Sequence, residues 1–138
     1  VYFRLGLSYL AWTKPREAVD MFKKSLEHNP ENENALVELA NALDEIGKIE
    51  ESIPFYKNFI DQDPFSYTAW YNLGIAYSKL KQYEKAIDAY EYSLAIEPTF
   101  GSSLFNLGNT YMNLVDYPKA EEAYRLCLKH DEPNPELY

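Results

Sequence analysis

Residues 67–100 read YTAWYNLGIAYSKLKQYEKAIDAYEYSLAIEPTF, and the features of this stretch return along the chain at intervals of 34 residues. The interval is plainest in the prolines that follow an acid or an asparagine: Pro30, Pro64 and Pro98. The same interval separates the members of two further columns. One contains small residues, Gly6, Ala40, Gly74 and Gly108, and the other contains aromatic residues, Phe22, Tyr56, Tyr90 and Tyr124. A repeat of this length with helical patterning predicts stacked helix pairs, each of which buries its apolar face against its neighbours.

The residue types in these columns suit the close packing of two helices. Small residues such as Gly74 and Ala86 allow close approach, and the leucines and aromatics three or four positions away supply the apolar stripe that is buried. The prolines end the second helix of each pair, because proline cannot continue a helix. The predicted first helices are 2–12, 33–46, 67–80 and 102–114, and the predicted second helices are 15–28, 50–62, 84–96 and 118–130.

The third copy carries a set of residues that resembles the tetratricopeptide repeat family: Trp70, Leu73-Gly74, Tyr77, Ala86, Tyr90, Ser93 and Pro98. The resemblance covers essentially the whole chain. It implies an all-α fold, a right-handed α-solenoid of four stacked antiparallel helix pairs. It divides the chain, as a single array, into repeats 1–32, 33–66, 67–100 and 101–134, with 135–138 as the start of a fifth repeat.

Two of the copies depart from the pattern. Pro54 lies inside the predicted second helix of the second copy, about a turn past its start near Ile49. A proline there removes a backbone hydrogen bond, at ~3 kcal/mol if unrelieved, so we expect this helix to start late or to bend. The second copy also has Ala40 and Leu43 where Gly and Tyr are usual. In the fourth copy the proline shifts by one position, to Pro133, which predicts a looser loop.

Both ends of the chain fall inside a predicted first helix, without the polar capping helix that normally finishes a solenoid. We therefore expect the chain to be a piece of a longer array. Such a piece would expose apolar residues at both ends, around Phe3, Leu5 and Leu7 at the start and Leu126, Cys127, Leu137 and Tyr138 at the finish. Because exposed apolar patches seek partners and the two ends differ, we expect end-to-end self-association rather than two-fold contacts.

Composition and motifs disfavour several classes of function. The net charge of −9 argues against a nucleic-acid partner, which would require a basic stripe. No apolar run approaches the roughly 20 residues that a membrane span requires. The sequence offers no Gly-rich phosphate loop, no Cys-His or Ser-His-Asp arrangement and no isolated pair of acids. We therefore expect no catalytic residues, no cofactor and no bound metal.

The resemblance implies that the first helices line a concave groove and that the second helices face outward. In the third and fourth copies the first helices contain one charged residue, Lys79, so the groove is predicted to be polar and aromatic there. Helical spacing directs seven side chains into the groove: Asn41, Tyr71, Asn72, Phe105, Asn106, Asn109 and Asn113. An asparagine amide donates and accepts hydrogen bonds, so it can bind the main chain of an extended peptide of any sequence.

Two binding modes of the family bear on these residues. Asn72 and Asn106 resemble rungs of the asparagine ladder in the repeats of O-linked N-acetylglucosamine transferases, although typical repeats also carry asparagine there. The carboxylate clamp of chaperone-binding members does not fit. Val37, Ser102 and Asn106 stand where its cations would be, and a clamp without cations cannot hold a carboxylate.

The sequence therefore favours a protein-interaction scaffold that binds an extended peptide or a partner helix in its groove. Two alternatives remain: a structural spacer or self-assembly segment, and a targeting domain attached to an enzyme. Exposed Tyr71, Phe105 and asparagine side chains would favour binding, whereas a groove filled by its own chain or by a neighbouring copy would favour assembly.

Overall fold

The computed structural model describes residues 1–131, which form two compact units: Val1–Phe65, and the residues from Ser66 onward. Unit 1 contains α1 (Tyr2–Ala11), α2 (Pro15–His28), α3 (Glu33–Glu45) and, after a 3₁₀ turn at Ile49–Glu51, α4 (Ser52–Gln62). Unit 2 contains α5 (Tyr67–Lys79), α6 (Tyr83–Ile96), α7 (Gly101–Asn113) and α8 (Tyr117–Asp131).

The predicted all-α helical repeat fold is confirmed, and residues 1–131 contain no strand. Every predicted helix boundary lies within two residues of the observed one. The looser loop expected at Pro133 and the fifth repeat expected at 135–138 lie outside the described residues.

In unit 1 the helices pack in chain order, α1 on α2, α2 on α3 and α3 on α4. Phe22, Leu36, Leu39 and Tyr56 are fully buried between them. The glycine at position 6 allows α1 to approach α2, because a Cβ there would lie 2.5 Å from Cε1 of Phe22.

Unit 2 repeats this arrangement, with α5 on α6, α6 on α7, α7 on α8, and α5 also against α7. A Cβ at Gly74 would lie 2.5 Å from the ring of Tyr90, and one at Gly108 would lie 2.5 Å from the ring of Tyr124. The small-residue column and the aromatic column of the sequence are therefore the two sides of one recurring contact.

A buried hydrogen-bonded junction joins three helices of unit 2. The Ser93 hydroxyl on α6 donates to the backbone carbonyl of Tyr67 on α5, at 2.9 Å. Its oxygen is also 2.8 Å from the Ser103 hydroxyl on α7, which must be the donor because the Ser93 proton is already used. In the next repeat Cys127 occupies the position of Ser93 and directs its thiol to the Gly101 carbonyl, at 3.5 Å.

Each first helix passes into its second helix through the same tight turn. A backbone N–H closes the turn on the carbonyl five residues earlier, as from Gln82 to Tyr77 at 2.9 Å. The residue before that N–H has positive φ in all four copies: Thr13 (57°), Gly47 (72°), Lys81 (60°) and Val115 (60°). Glycine adopts this conformation without steric cost, whereas a β-branched residue such as Val115 is strained in it.

The structure shows how Pro54 is accommodated. The 3₁₀ turn at Ile49–Glu51 precedes it, and the α-helix begins at Ser52, later than the sequence alone suggested. Pro54 is then in the first turn of α4, where backbone N–H groups have no partner within the helix. Of the two expectations, a late start and a bend, the late start describes the structure.

Candidate functional site

The first helices of unit 2, α5 and α7, present a polar and aromatic surface. We call the surface formed by Tyr71, Asn72, Phe105, Asn106 and Asn109 the first-helix face. Phe105 is 53% exposed, and the other four side chains are half-buried. They take these positions because the intervening Leu73 and Leu107 turn into the core. Lys79 is the one charged residue of the two helices, so the first-helix face is nearly neutral.

Asn106 and Tyr71 connect the two helices of the first-helix face. The Asn106 amide nitrogen donates a hydrogen bond of 3.1 Å to the Tyr71 hydroxyl. The Tyr71 ring is held edge-on by Phe100, with ring centroids 5.2 Å apart, and rests on Tyr90 at 6.2 Å. The Tyr71 hydroxyl keeps its own proton for a further acceptor, and Asn106 keeps its carbonyl oxygen and a second N–H.

Tyr124 anchors the far side of the first-helix face. Its hydroxyl donates a hydrogen bond to the Asn109 carbonyl oxygen, and its ring packs on Phe105 with centroids 5.9 Å apart. Asn109 thus has one of its acceptor sites occupied, while its amide N–H groups stay available.

In the third repeat the equivalent tyrosine, Tyr90, has a different hydrogen-bond partner. The Tyr90 hydroxyl lies 3.2 Å from the Ser78 hydroxyl, because Ile75 occupies the position that Asn109 has one repeat later. Burial raises the pKa of Tyr90 to about 12, although the hydrogen bond with Ser78 partly offsets it. This buried hydroxyl therefore stays neutral near pH 7.

The other predicted site residues are not joined to this network. Asn72 belongs to the first-helix face, but its side chain makes no hydrogen bond with residues 1–131. Asn113 is exposed at the C-terminal end of α7. Asn41 is exposed on α3 in unit 1, apart from the unit that holds the other six.

Sequence reasoning missed two aromatics that support the first-helix face. Phe100 and Tyr124 pack against Tyr71 and Phe105, yet they lie outside the first helices, which held all the predicted site residues. The aromatic column of the repeat included Tyr124 and was the signal that could have identified its role.

The described part of the chain shows neither a metal site nor a membrane-spanning helix. No group of His, Cys, Asp and Glu among residues 1–131 has the arrangement of a metal site. Over the same residues no helix is long and apolar enough to cross a membrane.

Comparisons with known proteins agree on the repeat architecture. Three family models, each described as a tetratricopeptide repeat, match residues 10–73, 67–100 and 101–134. No curated protein matched the chain.

Among solved structures, the chain is similar to MamA. One crystal structure of MamA is 27% identical, with a TM-score of 0.77, and the match covers 91% of this chain and 74% of the MamA chain. A second is 27% identical with a TM-score of 0.78, over 94% of this chain and 70% of that one. MamA from Desulfovibrio magneticus RS-1 shares the fold at 22% identity, with a TM-score of 0.79 over 94% of this chain and 73% of its own.

Proposed function

This chain belongs to the tetratricopeptide repeat family, a family of protein-interaction scaffolds, and we propose that its first-helix face binds a partner protein. The bound element is an extended peptide or a helix. The scaffold acts by binding rather than by catalysis, and the net charge of −9 favours a protein over a nucleic acid.

The exposure of Phe105 next to the bonded pair of Asn106 and Tyr71 carries this proposal. Phe105 is about half exposed to solvent, and its ring packs against that of Tyr124. Beside it stand amide and hydroxyl groups with unused donors and acceptors. An aromatic anchor flanked by amides suits a peptide, because the ring takes a side chain while the amides pair with the main chain.

Peptides selected from a phage-displayed library against the intact chain provide the test. We expect the affinity of a selected peptide, measured by calorimetry, to fall about tenfold or more when Phe105 is replaced by Ala. Replacing both Asn72 and Asn106 by Ala is expected to lower the affinity for extended peptides in particular. Tyr117→Ala is the matched control, since Tyr117 is similarly exposed but lies on α8. Selected peptides that bind the Phe105 variant as well as the parent would contradict the proposal.

We propose end-to-end self-association as a second candidate function. Leu5 and Leu7 on α1 are 40% and 38% exposed, and Leu126 and Leu128 on α8 are 40% and 64% exposed. These two surfaces differ, so each can pair with the other on a second molecule in a head-to-tail contact.

Sedimentation over a range of protein concentrations tests self-association. The apparent mass is expected to rise with concentration, and Leu5→Ser or Leu128→Ser should each reduce the rise. A strict monomer at millimolar concentration would contradict it, and would leave the binding proposal for the first-helix face unaffected.

A further inference from the structure

A cavity of about 460 Å³ opens between α6 and α8 of unit 2, the two second helices. Its floor is apolar and comes from all three surrounding helices, with Leu94 of α6, Leu104 and Leu107 of α7, and Ala123 and Leu126 of α8. Pro98, in the loop after α6, also lines it. The residues of the first-helix face do not line this cavity, so nothing proposed for that face accounts for it.

The rim of the cavity is acidic. Glu91 of α6 and Glu122 of α8 both line it, and no ion pair links either of them to residues 1–131. Glu91 is hydrogen-bonded with the Tyr111 side chain. Lys119 also lines the cavity, but it pairs with Asp116 at 3.9 Å and lies 5.6 Å above the Tyr111 ring. Burial, followed by the charges of Glu91, Asp116 and Glu122, raises the pKa of Tyr111, which is consistent with a negative potential at the cavity mouth.

Unit 1 has a cavity at the corresponding position, two repeats earlier, with a different character. It is smaller, about 330 Å³, and is lined by Lys23, Leu26, Pro30 and Phe55 among others. Lys23 stands where unit 2 has Glu91, and Phe55 stands where unit 2 has Ala123. The cavity of unit 1 is therefore smaller and has one lysine and one glutamate, Lys23 and Glu27, among its lining residues, whereas the larger cavity of unit 2 has two glutamates and one lysine.

We propose that the cavity between α6 and α8 is a second docking site, which takes a leucine-like side chain of a partner segment that carries a lysine or arginine beside it. The leucine floor removes the apolar side chain from water. Glu91 and Glu122 then face the adjacent cation, while an acidic segment would be repelled. Because its lining residues are distinct from those of the first-helix face, this site can be occupied at the same time.

A pair of short capped peptides tests the charge preference. The basic probe is acetyl-Lys-Leu-Leu-Arg-amide and the acidic probe is acetyl-Glu-Leu-Leu-Asp-amide, each titrated into the isotopically labelled chain and followed by backbone NMR. The basic probe is expected to shift the resonances of Leu104, Leu107 and Ala123, with weaker binding as salt is added. Equal binding of the acidic probe, shifts confined to Phe105 and Asn106, or no shift at the solubility limit would each overturn the proposal.

Substitutions taken from unit 1 sharpen the test. Glu91→Lys introduces the residue that unit 1 has at the equivalent position, Lys23. It is expected to lower the affinity for the basic probe by about two- to fivefold or more, the range for an exposed ion pair. Ala123→Phe copies Phe55, fills the cavity and is expected to abolish binding. Where Ala123→Phe does not fold, Leu94→Ser serves instead, because Leu94 is a half-buried lining residue of the cavity that the proposed self-association surface does not include.

Glu84→Lys is the control for Glu91→Lys, because it makes the same change of charge at an exposed acid of α6 that does not line the cavity. The affinity of the Glu84→Lys variant for the basic probe should be close to that of the parent chain. An equal loss of affinity in Glu84→Lys and Glu91→Lys would mean that the probe responds to net charge alone, and would overturn the proposal.

Discussion

The side-chain amide of Asn106 donates a hydrogen bond of 3.1 Å to the hydroxyl of Tyr71, one repeat earlier on the neighbouring first helix. Tyr71→Phe removes this acceptor and leaves the ring contacts with Phe100 and Tyr90 in place. Because Asn106 is half-buried and can turn to water, we expect a loss of at most about 1 kcal/mol in unfolding free energy. Urea denaturation measures it, and the Asn106 amide resonances should move. Unchanged Asn106 resonances would mean that the bond does not persist in solution.

Gly74→Ala should destabilise unit 2. The new methyl group would lie 2.5 Å from the Tyr90 ring, which is fully buried and has little freedom to move. We expect the overpacking to cost about 1–3 kcal/mol, more than the ~1 kcal/mol that alanine gains over glycine in a helix. Thermal and urea unfolding give the difference. The reverse exchange, Ala40→Gly in the second repeat, is expected to lose about 1–2 kcal/mol, from helix propensity and from the loss of a buried methyl group. A more stable Gly74→Ala variant would show that Tyr90 adjusts freely.

Val115→Gly should stabilise the chain. Val115 is exposed and has φ of 60°, a conformation that β-branched residues rarely adopt. Release of this strain is expected to outweigh the extra chain entropy of glycine by about 1 kcal/mol. The midpoint of thermal unfolding should rise by several degrees. Gly47→Val, at the equivalent turn of the second repeat, should lower it, and the same direction of change in both variants would refute the explanation.

Stability should fall at alkaline pH. Burial raises the pKa of Tyr90 from its ordinary value of 10.0 to about 12, and burial raises the pKa of Tyr56 as well. Between pH 10 and 12 the unfolded chain therefore loses the Tyr90 proton while the folded chain keeps it. The contribution of Tyr90 is complete below pH 10 and is lost as the pH rises through about 12.

Tyr90→Phe isolates this effect. At pH 7 the variant is expected to be less stable than the parent chain by about 1 kcal/mol, because it lacks the hydrogen bond with Ser78. Above pH 10 the gap should narrow, since phenylalanine has no proton to lose. Urea unfolding at both pH values measures the gap, and a gap that stays constant or widens would argue against a raised pKa.

Pro54→Ala should slightly destabilise the chain. Pro54 lies in the first turn of α4, so it removes no hydrogen bond from the folded state, and it restricts the unfolded chain. We expect a loss of about 0.4–1 kcal/mol in urea unfolding. A gain in stability would show that the proline strains α4 after all.

The helical fold could be predicted from the sequence because a fixed period repeats each constraint four times. Gly74 and Tyr90 belong to columns that recur, so close packing between such residues could be predicted. Features that occur in only one pair of repeats could not be predicted. The bond between Asn106 and Tyr71 depends on the relative depth of two helices, and the cavity of unit 2 differs from that of unit 1 through exchanges at single positions, such as Ala123 for Phe55. The binding role of the seven predicted site residues, Asn41 included, stays a prediction.

The thiol of Cys127 provides a means of following how unit 2 comes apart. It is the chain's single cysteine, half-buried between α8 and the start of α7, with its sulfur 3.5 Å from the Gly101 carbonyl. In a repeat protein each unit is supported by its neighbours alone, so terminal helices can fray before the rest melts. A thiol reagent modifies Cys127 when the contact with α7 opens. Comparison of that rate with the global unfolding rate therefore shows whether α8 unfolds by itself or together with the other helices. No label has to be introduced for that measurement.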